Sequence, residues 1–380
     1  MTRPLSPVIL HLCAVEFTAT NLLKPQLEDL QHRGYEVQLG CKPGPKGFDD
    51  LLSQFSPIEV DFPRRLRPLA ILKASRRMVT ILNDLRPSAV HLHTPAVALP
   101  FRLIPRRFLP AGMKVFYTVH GFAHLWDTRR LKDFILERVE RLLARRTDVM
   151  LFQSSEDLEN SQRCHYRSKL VFLGNGVGEE WFAVPPLERR PGRLRAVFIG
   201  RLIQEKGIVD LLEAVLRTPE VELTVVGEQL TSDRGGVQHE VTRITNSVEL
   251  KGRVRLVGRL SQDELRELIA ATDVVVLPSY REGVPRSLIE GLASGRPLIA
   301  TETRGCRELI TNGINGFLVP VGKPDLLAKA LNAASKLEFQ ELAKMGIASK
   351  VRAIASHREQ IIFDRLANAY AAEGLFPVAR

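Results

Sequence analysis

Apolar and polar positions along this chain follow two rhythms that alternate. Short runs of Val, Ile, Leu and Phe give way to stretches of about 10 to 18 residues in which apolar side chains recur every three or four positions. The short runs predict strands at 8–13 (VILHLC), 36–41 (EVQLGC), 89–93 (AVHLH), 114–119 (KVFYTV), 148–153 (DVMLFQ) and 169–173 (KLVFL). After the Pro- and Arg-rich stretch PPLERRPGR the alternation restarts. Strands are predicted there at 195–200, 222–227, 254–258, 273–278, 296–300 and 317–320. Strand–helix alternation of this kind predicts an α/β fold, with parallel sheets covered by helices on both faces. Two series predict two doubly wound, Rossmann-like domains. The expected division is 1–182 for the first, 193–355 for the second, and a terminal helix within 356–380 that returns to the first.

Composition changes this picture little. The 380 residues, 44% of them hydrophobic, suit two soluble-type cores. No apolar run approaches the ~20 residues of a membrane-spanning helix. The opening MTRPLSPVILHLCAVEF lacks a small-residue cleavage site and reads as a first strand. Cys13, Cys41, Cys164 and Cys306 are scattered, so a reduced, cytoplasmic compartment is expected.

Charge adds more. Of the net +11, residues 64–107 supply +9: ten Lys/Arg against Asp84 alone. One reading is a solvated basic face. The other is an anionic partner, and nothing here resembles a helix-turn-helix, a zinc finger or a single-strand platform, so nucleic acid is excluded. RRLRPLAILKASRRMVTILNDL sets basic residues among Leu69, Leu72, Val79 and Leu82 at near-helical spacing. Residues 64–107 are therefore expected to contact an anionic membrane peripherally, on its cytoplasmic face.

Ligands of open α/β sheets bind beyond the strands' carboxyl ends, so chemistry is sought there. After the 273–278 strand comes SYREGVPRSLIEGLASG. Pro285 suits a helix start and Gly295 a helix stop, while Leu288, Ile289 and Leu292 share a core-facing side. Glu290 falls about 130° from that side's centre and is expected at the domain edge. Glu282 sits in the loop, where Gly283 permits close backbone approach. The amides of 284–287 would form a phosphate-binding helix start, drawing in Val284, Arg286 and Ser287. The plainer alternative is one acid stabilising the helix dipole and another in solvent. After the 195–200 strand, Gly200–Arg201 and Lys206–Gly207 place two cations that could converge on a diphosphate. A wet basic loop would look the same. The sequence offers no Asp-x-Asp motif and no clustered His/Cys set at metal-ligand spacing.

Taken together, these motifs resemble the family 4 (group 1) retaining glycosyltransferases of the two-domain GT-B fold. Glu282 and Glu290 match that family's Glu-x7-Glu signature; Gly200, Arg201, Lys206 and Gly207 match its Gly-Arg-x4-Lys-Gly signature. EGVPRSLIEGLASGRPLIAT with RGCRELI is similar to members that build bacterial surface polysaccharides and lipid-linked oligosaccharides. The resemblance implies two domains facing across a cleft and a nucleotide sugar, a UDP-sugar, as donor. It also implies a hydroxyl acceptor on a polyprenyl-diphosphate-linked saccharide, and no metal or other cofactor.

Residue by residue, it implies that Arg201 and Lys206 meet the diphosphate, Glu282 the donor sugar and Glu290 the ribose. Gly227 and residues 257–259 would border the base. His120, in YTVHGF after the 114–119 strand, would face the sugar from the first domain, with domain closure completing the site; His124 and Trp126 are weaker candidates. His91, His93 and Thr94 are either acceptor contacts or structural groups. Where many relatives carry paired glycines in the first loop, this chain has Val15, Glu16 and Phe17, which leaves that loop's role open. A GT-B sugar-nucleotide epimerase and a catalytically silent membrane-docked scaffold are the alternatives. A dehydrogenase is disfavoured, because no Gly-x-Gly-x-x-Gly follows the first strand.

Overall fold

The computed structural model describes residues 6–44, 47–61, 68–122, 124, 131–188, 190–229 and 236–377. Arg64, Arg65, Arg67 and Trp126 lie outside the described residues. The chain forms two compact units, 1–173 with 363–380, and 174–362.

The first unit holds a seven-stranded parallel sheet of β1 (Val8–Val15), β2 (Glu36–Lys42), β3 (Ile58–Glu59), β4 (Ala89–Leu92), β5 (Lys114–Val119), β6 (Val149–Phe152) and β7 (Lys169–Phe172). Their order is β3-β2-β1-β4-β5-β6-β7. Buried on both faces, the strands carry near-continuous apolar runs; Leu10, Leu12, Val90, Leu92, Val115 and Val119 are among the core residues. The two-residue β3 has no sequence pattern of its own.

In the second unit β8 (Leu194–Ile199), β9 (Val221–Val226), β10 (Val254–Gly258), β11 (Val274–Leu277), β12 (Leu298–Thr301) and β13 (Gly316–Val319) run parallel in the order β10-β9-β8-β11-β12-β13. Both sheets are doubly wound. The order reverses between β1 and β4 in one and between β8 and β11 in the other, the places where such sheets open a crevice for ligands.

The expected boundary at 182 moves to 173. Val177 and Trp181, both fully buried, belong to the second unit's core, and Val177 exchanges backbone hydrogen bonds with His357 and Glu359 at 2.9 and 3.0 Å. Of the terminal segment, 363–380 joins the first unit while 356–362 stays with the second. Anchors in the first unit include Tyr35, whose hydroxyl donates to the Leu375 carbonyl at 3.1 Å, and Glu373, which pairs with Lys114 and Lys169. Among the described residues no helix is long and apolar enough to cross a membrane.

Candidate active site

The carboxyl ends of the second unit's central strands are drawn together by glycines. Gly227, at φ +126°, ends β9, and a Cβ there would lie 2.0 Å from the Gly200 carbonyl oxygen at the end of β8. Its amide donates to the Gly258 carbonyl at 2.7 Å. Gly207, at φ +69°, follows a short helical turn (Gln204–Lys206), and a Cβ there would lie 2.0 Å from the Pro278 oxygen. Only glycine lets these strand ends approach so closely.

That approach brings the two signatures into contact. Lys206 Nζ donates to Glu282 Oε1 at 2.6 Å, and the Ser279 hydroxyl donates to the same oxygen at 2.6 Å. Arg304 Nε donates to the Glu282 carbonyl at 3.1 Å, and Thr301 Oγ1 to that of Ser279. Tyr280 is held by its amide to Glu205 and by its hydroxyl to Asp210. The loop after β11 is therefore fixed on three sides. Gly283 packs against Gly305, where an added Cβ would fall 1.3 Å from the Gly283 oxygen.

The Arg286–Ala293 helix starts next, with extended Pro285 as its N-cap and Gly295, at φ +67°, just past its end. Leu288, Ile289 and Leu292 are fully buried, as their spacing predicts. Glu290 departs from the expected domain edge: it is 4% exposed. Helical spacing orients a side chain but cannot show what covers it. Here Arg286 covers it, its Nε donating to Glu290 Oε1 at 3.2 Å while its guanidinium also pairs with Glu359 at 3.6 Å. Burial pushes the Glu290 carboxyl up to about 7; Arg286 opposes the shift, while Glu180 and Glu359 add to it. Val284 is buried and its carbonyl accepts from the Asn175 amide at 3.0 Å. Ser287 and Arg286 occupy the first turn, half-buried, and Arg201 is exposed beyond Gly200.

His120 lies in the first unit, half-buried just after β5. Burial lowers it to about 4, opposed by a hydrogen bond to the Gln153 side chain. Among the described residues its Nε2 has no hydrogen-bond partner.

Two features escape the sequence reading. Register pairs His11 with His91, and with His93 their ring nitrogens lie within 4.8 Å of one another, although His11 is far from the other two in sequence. His11 Nδ1 meets His93 Nε2 at 2.9 Å; His91 uses both nitrogens, on the Tyr370 hydroxyl (2.6 Å) and Thr118 Oγ1 (2.7 Å). His91 is thus a buried structural group. Burial holds all three rings neutral, His11 at about 3 and the others well below the usual value. The second feature is Glu16, whose carboxylate accepts from the amides of Gly44 (2.6 Å) and Asp49. It ties down the neighbouring loop.

Comparison with known proteins shows the family and the fold. Residues 179–352 match the family described as glycosyl transferases group 1, and residues 23–176 match the glycosyl transferase 4-like domain. Glycosyltransferase EpsD of Bacillus subtilis is 31% identical over 280 residues, 68% of this chain and 70% of that protein. The Escherichia coli UDP-Gal:alpha-D-GlcNAc-diphosphoundecaprenol alpha-1,3-galactosyltransferase is 26% identical over 326 residues, 80% of this chain and 81% of the relative. Among solved structures, sucrose-phosphate synthase from Thermosynechococcus elongatus superposes with a TM-score of 0.81 at 17% identity, covering 96% and 98% of the two chains. Anabaena Alr3699/HepE in complex with UDP gives 0.75 at 18%, covering 96% and 100%. The chain belongs to the group 1 glycosyltransferases and is a glycosyltransferase of the two-domain GT-B class.

Proposed function

We propose that this enzyme moves a sugar from a UDP-sugar to a hydroxyl of a polyprenyl-diphosphate-linked saccharide, with retention at the anomeric carbon, in surface-polysaccharide assembly. The observation that carries the reading is the Lys206–Glu282 pair at the strand ends, beside the start of the Arg286–Ala293 helix. Breaking the anomeric bond leaves negative charge on the diphosphate and positive character on the sugar ring. Lys206 and Arg201 supply cations for the first. The first amides of the helix, which have no intrahelical acceptors, supply further donors. Glu282, already positioned by Lys206 and Ser279, accepts hydrogen bonds from donor-sugar hydroxyls. Glu290 accepts from the ribose, and His120 of the first unit lines the donor sugar.

The identity of donor and acceptor is supported by the E. coli relative, whose name specifies UDP-Gal and a diphosphoundecaprenol acceptor, and by the neighbour bound to UDP. On this reading side chains and amides meet the diphosphate charge, and turnover persists in EDTA. The test is incubation with labelled UDP-sugars, with and without polyprenyl-diphosphate saccharides. Product that forms only with acceptor, and keeps the donor's anomeric configuration, supports the proposal. Interconversion of the sugar nucleotide without acceptor makes the protein an epimerase, and binding without turnover makes it a scaffold.

A further inference from the structure

One helix of the first unit buries its acids and exposes much of its apolar surface. The acids of Leu131–Ala144 point inward: Asp133 is buried, Glu140 holds buried Arg102 at 2.6 and 3.1 Å, and Glu137 is half-buried beside Arg141. Leu143 is buried, but most of the large apolar side chains point outward. Leu131 is 72% exposed and Leu142 61%, with Phe134, Ile135 and Val139 between them. The exposed charges on this helix are Lys132 and Arg138, the latter stacked 4.8 Å over the Phe134 ring. A surface helix of a globular protein ordinarily shows the reverse arrangement.

The exposed face continues into an open apolar groove of about 1030 Å³. Leu72 and Val79 of the Pro68–Leu85 helix, Leu103, Phe108 and Val139 line it, and Arg76 is its charged member. Lys73 and Arg77 are exposed nearby, and Arg107 stacks 4.9 Å over Phe108. Against these cations the Pro68–Leu85 helix carries one acid, Asp84, near its far end. Contiguous apolar surface interleaved with cations is the chemistry of an interface with acyl chains below and lipid phosphates above.

We infer that this face docks on an anionic lipid bilayer, with Phe134, Ile135 and Leu142 entering the acyl boundary and the groove seating a lipid chain. The surface adds the Leu131–Ala144 helix to the basic segment legible in the sequence, and shares no residue with the donor site. The test is co-sedimentation of the intact enzyme with vesicles of phosphatidylcholine alone or mixed with phosphatidylglycerol. The wild type should pellet with the mixed vesicles and be released by salt. Ile135→Glu with Leu142→Glu, both at exposed positions, should lower the partition constant at least tenfold while melting temperature and UDP affinity stay unchanged. Arg76→Ala and Arg77→Ala should each lower it about fivefold. Wild-type protein that stays in the supernatant, or glutamate variants that still pellet, would overturn the inference. So would a lipid-free dimer that Ile135→Glu dissociates, since the face would then belong to a second copy.

Discussion

The ammonium group of Lys206 lies 2.6 Å from Oε1 of Glu282, joining the turn after β8 to the loop after β11. These two strands flank the point where the sheet order reverses. The cation assigned to the leaving diphosphate therefore also fixes the carboxylate assigned to the sugar.

Lys206→Ala should lower kcat/KM a hundredfold or more, since one preorganised donor to developing charge is worth about 3 kcal/mol. It should also destabilise the fold by about 1–3 kcal/mol, because Glu282 is left largely buried with Ser279 as its side-chain partner. Lys206→Met combined with Glu282→Gln removes both charges. That variant should recover the melting temperature and remain inactive; recovery of activity would show that the pair is structural.

Glu290 titrates near neutrality, and this sets a pH dependence. Burial raises its carboxyl to about 7, so it is largely protonated at pH 6 and ionised at pH 8. On the proposed ribose contact, hydroxyls donate to the ionised form, so UDP affinity should rise several-fold between pH 6 and 8, with proton release on binding. Ionisation of UDP itself contributes in both proteins, so the comparison is with Glu290→Gln. That variant should bind more weakly at pH 8 and show a flatter profile; parallel profiles would contradict the ribose assignment.

Gly305→Ala should act without altering any charge. The new methyl group would meet the Gly283 backbone oxygen at 1.3 Å, and a backbone obstacle cannot rotate away. The loop from 282 to 284 must shift, so UDP-sugar KM should rise at least tenfold and the melting temperature should fall. Unchanged values of both would mean that the Gly283 position is not critical.

The histidine cluster predicts acid sensitivity. Buried His11, His91 and His93 resist protonation, whereas in the unfolded chain they titrate near 6.5. Below that pH the unfolded state binds more protons, so stability falls as pH falls, by up to about 1.4 kcal/mol per pH unit per histidine. Glu290 and Glu359, both raised to about 7, act in the opposite direction above their unfolded values. A single-residue comparison isolates the effect: between pH 7 and 5, His91→Gln should lose less melting temperature than the wild type. Equal losses would contradict it.

Much of this was legible in the sequence because it depends on local pattern. Strands buried on both faces announce themselves as apolar runs, and Pro285, Gly295 and the Leu288–Ile289–Leu292 face define their helix without tertiary information. What stayed hidden depends on distant partners. Glu290 was expected at an edge because helical spacing says nothing of the Arg286–Glu359 contact over it. His11 joins His91 only through strand register. The boundary at 173 escaped because the sequence counts Trp181 with the first domain until its core is known. The Leu131–Ala144 helix has ordinary amphipathic spacing, and the burial of its acids shows only when Glu140 is seen on Arg102.

On the proposed function, the strand ends of the second unit grip a nucleotide diphosphate through Arg201 and Lys206. Calorimetric titration of UDP and UDP-sugars into the wild type and an Arg201→Glu, Lys206→Glu variant, with folding checked by circular dichroism, tests it directly. The account predicts saturable binding to the wild type and at least a hundredfold loss in the folded variant; equal affinities would contradict it.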